Sequence, residues 1–235
     1  MAELLTVNFP GSCDCFTISQ KRDTLSHGTT IWSSSVVLAS LVLSNVITVS
    51  GRQVLEFGAG CGLSGLTAGL HGASKVHFTD LDNVVKYVLE DNIDRNRSAI
   101  AKNNATCSLS FSNLDWTQAL KNNDIHKLLS ENPWDIILAG DCLFALELIP
   151  HFIQCLVFAS KMRENQCRIV VASERRDDFV RNAFLQQAKK VGFTITSVSK
   201  RKTMQHASRI EFHPAIDMAM DQVEVWILRR LGKTD

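Results

Sequence analysis

Several things are scarce in this chain, and each scarcity excludes something. Its net charge is only +1, so it lacks the basic excess that a nucleic-acid partner demands. No long apolar run occurs: the most hydrophobic stretch, Val36 to Leu43, is too short to span a bilayer, so no membrane contact is expected. The opening Met1-Ala2-Glu3-Leu4-Leu5 has neither the basic start nor the apolar core of a secretory leader. The seven cysteines show no framework-like spacing, and Cys13-x-Cys15 has no C-x-x-C mate or histidine pair, so neither a disulfide scaffold nor a metal site is expected. Reduced thiols place the chain in the cytosol, with the nucleus also open, and a monomer is the expectation. Internal repeats and low-complexity segments are absent.

What is present is organised around Val54-Leu-Glu-Phe-Gly-Ala-Gly-Cys-Gly-Leu-Ser-Gly65, a buried strand running into a glycine turn and a helix. Gly58 and Gly60 keep Cβ atoms out of the turn, so the Gly58-Ala59-Gly60 backbone can press on a ligand above the strand end. Glu56 is an acid ending an otherwise apolar strand. Burying it requires a partner, either polar ligand atoms or exposed N–H groups of the loop. A second apolar strand, Lys75 to Thr79, ends in Asp80, the place from which nucleotide-binding folds read ribose hydroxyls. Gly60-x-Gly62-x-x-Gly65 also fits a dinucleotide fingerprint, but Gly58 already occupies the place after the strand that its first glycine should fill.

Strands and helices alternate along the chain. Glu3 to Phe9 and Cys15 to Gln20 read as two strands joined by Pro10-Gly11-Ser12, a hairpin that either contacts substrate or covers a sheet edge. Serines around position 33 offer a cap for the helix that starts the core, with Trp32 just before it. Asp82 is expected to cap a helix to about Arg97, buried through Val84, Val85, Val88, Leu89 and Ile93. Thr106 to Phe111, Trp134 to Gly140, Arg168 to Ser173, Phe193 to Ser197 and Val223 to Leu228 read as the remaining strands, with helices from Pro150 to Lys161 and from Asp177 to Val191. Lys200 to Asp221, including the basic triplet Lys200-Arg-Lys202, reads as a surface crossing without an element. The expected fold is α/β: a Rossmann-like, doubly wound, mostly parallel seven-strand sheet. Residues 1–27 are expected to form an N-terminal β extension, and 28–235 the Rossmann-like domain.

Trp32, Glu56-x-Gly58-x-Gly60-x-Gly62, Asp80, Leu114-Asp-Trp116 and Asp141-Cys-Leu-Phe144 occur in order over residues 28 to 175. In this the chain resembles the seven-strand protein lysine methyltransferases called methyltransferase family 16. The resemblance implies S-adenosylmethionine as cofactor, held by Trp32, Glu56, Gly58, Ala59, Gly60, Asp80, Trp116 and the backbone near Gly140. It implies that Asp141 and Phe144 face an incoming lysine of a non-histone protein substrate. Other protein nitrogens (histidine, arginine or an N-terminal amine) and a non-catalytic binding role remain open. Phe144 stands where many relatives have tyrosine, so no role that needs a phenol hydroxyl falls to it.

Overall fold

The computed structural model describes residues 2–9, 15–22, 24, 26–119, 121–163, 166–207 and 210–230. The element order is β1 (Glu3–Asn8), β2 (Cys15–Gln20), α1 (Ser33–Leu43), β3 (Gln53–Phe57), α2 (Leu63–Leu70), β4 (Lys75–Asp80), α3 (Asp82–Val84), α4 (Glu90–Asn103), β5 (Ser108–Asn113), α5 (Asn123–Ser130), β6 (Ile136–Gly140), α6 (Ile149–Ala159), β7 (Arg168–Glu174), α7 (Asp178–Lys190), β8 (Phe193–Val198), α8 (Lys200–Ala207), β9 (Glu211–His213) and β10 (Val223–Arg230). A π-helical turn, Val85–Leu89, joins α3 to α4, so one continuous helix runs past Arg97 to Asn103.

The main sheet has the order β5-β4-β3-β6-β7-β10-β8, with β10 inserted antiparallel between β7 and β8 and the other pairings parallel. Side chains of the central strands alternate between two buried layers, as a sheet covered on both faces requires. Val54, Ile136, Leu138 and Val170 join the layer of α1, α2 and α4. Leu55, Ile137, Ala139 and Val171 join the opposite layer with Trp134, Phe152 and Phe184. Because successive strands are added outward in opposite directions, β4 and β5 on one side of β3 and β6 and β7 on the other, the C-terminal ends of the parallel neighbours β3 and β6 open a crevice at the switch point.

β1 and β2 pair antiparallel from Glu3↔Gln20 to Asn8↔Cys15; the Pro10-Gly11-Ser12 turn lies outside the described residues. They do not join the main sheet. β9 pairs with the free side of β1, giving a separate three-stranded sheet in the order β2-β1-β9. Its Leu5, Val7, Phe16 and Ile18 share a buried layer with Val36, Val88 and Ile93, so packing is continuous across residue 27. The outer edge of β2 is met by two asparagines of α4. Asn92 Nδ2 donates to Ser19 O at 2.9 Å and its Oδ1 accepts from Ser19 N at 2.6 Å; Asn96 does the same at Thr17, both at 2.9 Å.

Four local expectations are corrected. Lys200 to Asp221 is not a plain crossing: it holds α8 and β9, and Lys200-Arg-Lys202 is the first turn of a helix. Only Thr203 and Ala207 of α8 are buried, a stripe too narrow to register as periodicity. Helix α5 was not expected; Asn122 caps it by accepting from Asp124 N and Ile125 N. Neither the serines nor Asp82 caps its helix through a side chain, since Trp32 and Leu81 hold those positions. Asp82 instead pairs with Lys86 at 2.7 Å and accepts from Asn113. The strand expected at Thr106 to Phe111 runs two residues later, which brings Trp116 to within three residues of its end.

Candidate active site

The glycine loop is a run of left-handed turns, with φ of 59° at Gly58, 56° at Gly60 and 81° at Gly62. Any side chain there would be strained. The absent Cβ atoms face protein: one on Gly58 would meet Cys142 Sγ at 2.9 Å, and one on Gly60 would meet Gly28 O at 3.1 Å. The loop is therefore clamped between the turn after β6 and the turn before α1. Its N–H groups are partly committed as well. Ala59 N donates to Thr79 O at 3.0 Å and Gly60 N to Asp80 Oδ2 at 2.7 Å, fixing the loop to the end of β4.

Glu56 does not face the crevice. Its side chain points to the α2 face, where Ser64 Oγ and Gly65 N (3.1 Å) donate to its two oxygens. Its partners are neither ligand atoms nor N–H groups of the glycine loop but a hydroxyl and an N–H of the first turn of α2, so Glu56 shapes the start of that helix. Burial pushes its carboxyl up to about 8, against the bonds from Ser64 and Gly65.

Asp80 is half-buried at the crevice. Oδ2 accepts from Gly60 N and Oδ1 from Leu81 N, each at 2.7 Å. A carboxylate offers about four acceptor positions, so about two remain for a ligand diol. Burial raises its carboxyl to about 6 despite those two backbone bonds. Trp116 is half-buried on the other side of the loop: its ring edge lies 3.7 Å from where a Gly58 Cβ would be, and its ring centroid is 4.9 Å from that of Phe152. Phe144 follows at 6.4 Å from Trp116 and is 58% exposed. Leu81, 47% exposed beside Asp80, adds an apolar surface that the sequence reading omitted.

Asp141 adopts φ = 59°, a left-handed conformation that costs a non-glycine residue about 1–2 kcal/mol. Its N–H donates to Ala172 O at 2.8 Å, and Glu174 N donates to its Oδ1 at 3.2 Å. Arg176 Nη2 closes on Oδ2 at 2.7 Å and on Glu174 Oε2 at 2.9 Å. The same guanidinium lies 4.7 Å above the ring of Trp32, whose indole N–H is tied to His27 O at 2.8 Å. Gly140 packs beside the first turn of α1, where a Cβ would meet Ser35 N at 3.5 Å. Among the expected site residues, Trp32, Gly58, Ala59, Gly60, Asp80, Trp116, Gly140, Asp141 and Phe144 thus ring the strand ends, and Glu56 stands behind them. Glu174 and Arg176 were missed. Glu174 carries the signal already used for Glu56, Asp80 and Asp141, an acid at the C-terminal end of an apolar strand.

A mostly parallel sheet with this strand order, a clamped glycine loop and acids on four strand ends defines a Rossmann-like methyltransferase fold. A TehB-like methyltransferase from Corynebacterium glutamicum shares it, with a TM-score of 0.52 and 15% identity over 87% of this chain and 90% of that one. The particular family follows from sequence: the lysine methyltransferase family profile matches residues 13–191, and the chain belongs to that family. It is 28% identical to the protein N-lysine methyltransferase METTL21A of Danio rerio over 59% of this chain and 58% of that protein. It is also 28% identical to the human protein-lysine N-methyltransferase EEF2KMT over 64% of this chain and 46% of that protein. The chain spans about half the length of these curated relatives.

The residues present fit S-adenosylmethionine. Asp80 keeps acceptor positions for the ribose hydroxyls, and Trp116 with Leu81 offers apolar surface for the adenine.

Proposed function

We propose that this chain is a protein-lysine N-methyltransferase that uses S-adenosylmethionine to methylate a lysine side chain of a non-histone protein. The observation that carries the reading is the position of Asp141 at the end of β6, one residue before Cys142, which packs on the Gly58 loop at the end of β3, in a chain of the lysine methyltransferase family. When bound, the cofactor supplies a methyl group on a positively charged sulfur, open to in-line attack.

The chain's own residues have three tasks. Asp80 and Trp116 hold the nucleoside end and so fix where the methyl group sits. Phe144, exposed and packed near Trp116, walls the approach of an aliphatic lysine stem without offering it a hydrogen bond. Asp141 attracts the ammonium and orients the amine once its proton has left to water. A lysine with a reference pKa of about 10.4 is mismatched to a carboxylate by several units, so positioning rather than proton abstraction is the role assigned to Asp141. Holding nucleophile and methyl group in line accounts for most of the rate.

Incubation of the purified chain with cell lysate and methyl-labelled S-adenosylmethionine should label a protein band, and mass spectrometry should place the label on lysine. Asp141→Asn, which keeps size and one acceptor oxygen but removes charge, should lower the rate about 10²-fold while retaining cofactor binding. Label on histidine, arginine or an N-terminal amine would refute the lysine assignment. An unlabelled lysate would point to a binding protein.

A further inference from the structure

Arg176 sits in a cage built for a cation. One wall is the face of Trp32, 4.7 Å from the guanidinium carbon, and the other is the pair of carboxylates of Asp141 and Glu174, at 2.7 and 2.9 Å from Nη2. An aromatic face together with anionic oxygens around one cation is the chemistry that recognises an alkylammonium. The cage is fixed on each side. Trp32 is pinned by His27 O, and the Asp141 side chain is only 7% exposed and holds the Glu174 N–H. Its occupant is less fixed: the Arg176 side chain is 39% exposed and stems from the bend between β7 and α7.

Resting on the lysine methyltransferase reading, we infer that Arg176 is a tethered stand-in for the substrate ammonium, a latch in the acceptor cage that the incoming lysine must displace. While it is closed, the guanidinium fills the cage, and a second cation enters only by displacing it. Two carboxylates facing one guanidinium leave one negative charge in excess, which favours the arrival of a cation over that of a neutral side chain. The latch therefore sets specificity. A lysine whose neighbours carry an acidic or apolar contact for the displaced guanidinium is accepted, whereas an isolated lysine competes with a cation held at an effective concentration of about millimolar. If the latch is closed about nine-tenths of the time, it weakens apparent substrate affinity about tenfold.

The test uses the full chain with S-adenosylhomocysteine bound and butylammonium as the probe of the cage, followed by calorimetry. Arg176→Gln should bind butylammonium about tenfold more tightly than wild type. Arg176→Lys, which keeps a tethered cation, should stay within about threefold of wild type. The gain should vanish in the Asp141→Asn/Arg176→Gln double variant. Equal affinity of wild type and a folded Arg176→Gln would overturn the inference. So would a loss of S-adenosylhomocysteine affinity without a gain for butylammonium, which would make the guanidinium an anchor for the cofactor's carboxylate. Should Arg176→Gln fail to fold, wild type carries the test: saturating butylammonium must shift the Arg176 Nε–H resonance, and a resonance that stays in place overturns the latch. These are binding measurements. They stand even if lysate labelling fails, and normal lysine labelling with no cage binding would remove the latch alone.

Discussion

Cofactor affinity should follow the charge on Asp80. Its carboxyl stands at about 6 because burial disfavours the ionised form more than the Gly60 and Leu81 N–H groups restore it. Ribose hydroxyls bound here would donate to the ionised carboxylate, and protonation takes away its charge and one of its acceptor oxygens. About nine-tenths of the group is ionised at pH 7 and about one-tenth at pH 5, so affinity for S-adenosylhomocysteine should fall about tenfold between those values, about 1.4 kcal/mol. The sign is fixed: binding is tight above pH 6 and weakens as pH falls through it. By linkage, bound ligand should pull the Asp80 pKa down. Calorimetric titrations from pH 5 to 8 would measure the slope. Asp80→Asn should bind more weakly by about 1–3 kcal/mol and show no such slope. A flat profile in wild type, or the same slope in Asp80→Asn, would refute the assignment of the diol to this carboxylate.

Two further outcomes concern the support behind the crevice. A Cβ on Gly65 would collide with the Phe78 ring and the Glu56 carboxylate, so Gly65→Ala should destabilise by about 1–3 kcal/mol. At Gly69, one turn on, the nearest atoms are at 3.3 Å, and Gly69→Ala should stay within about 1 kcal/mol of wild type in the same urea titration. Folded Glu56 holds its proton up to about pH 8, whereas the unfolded group loses it near 4.5, so its contribution to stability should decline as pH rises through that window. Glu56→Gln should flatten that decline, as urea midpoints measured across the window would report.

The central strands were legible because both faces of the sheet are buried there, which makes Ile136–Gly140 read as a continuous apolar run and Val54–Phe57 as one broken only by Glu56. Strand-end acids and glycines were legible for the same reason: polar or conformationally special residues stand out against such runs. What Glu56 bonds to was not legible, since the partners it meets, Ser64 and Gly65 of α2, depend on which face of β3 the side chain takes. Arg176 was hidden more deeply. An arginine after a strand is ordinary in sequence, and its meaning comes only from Trp32, 144 residues earlier, lying beneath it. α8 failed for want of signal, as its buried side is just Thr203 and Ala207. β9 failed because three residues pairing with β1 carry no period of their own.

The asparagine contacts on β2 make a helix serve as a neighbouring strand. Four residues of helix advance about 6 Å and two residues of strand about 6.8 Å, so Asn92 and Asn96 match Ser19 and Thr17 like two teeth of a vernier, and a third tooth would already be out of step. An exposed edge that could template another polypeptide is thereby closed with side-chain amides, and its register is read by α4. Asn92 Nδ2 also donates to Cys61 O at 3.0 Å, in the glycine loop. β2 and the glycine loop are therefore held by a single amide group, and a slip of one would be felt by the other.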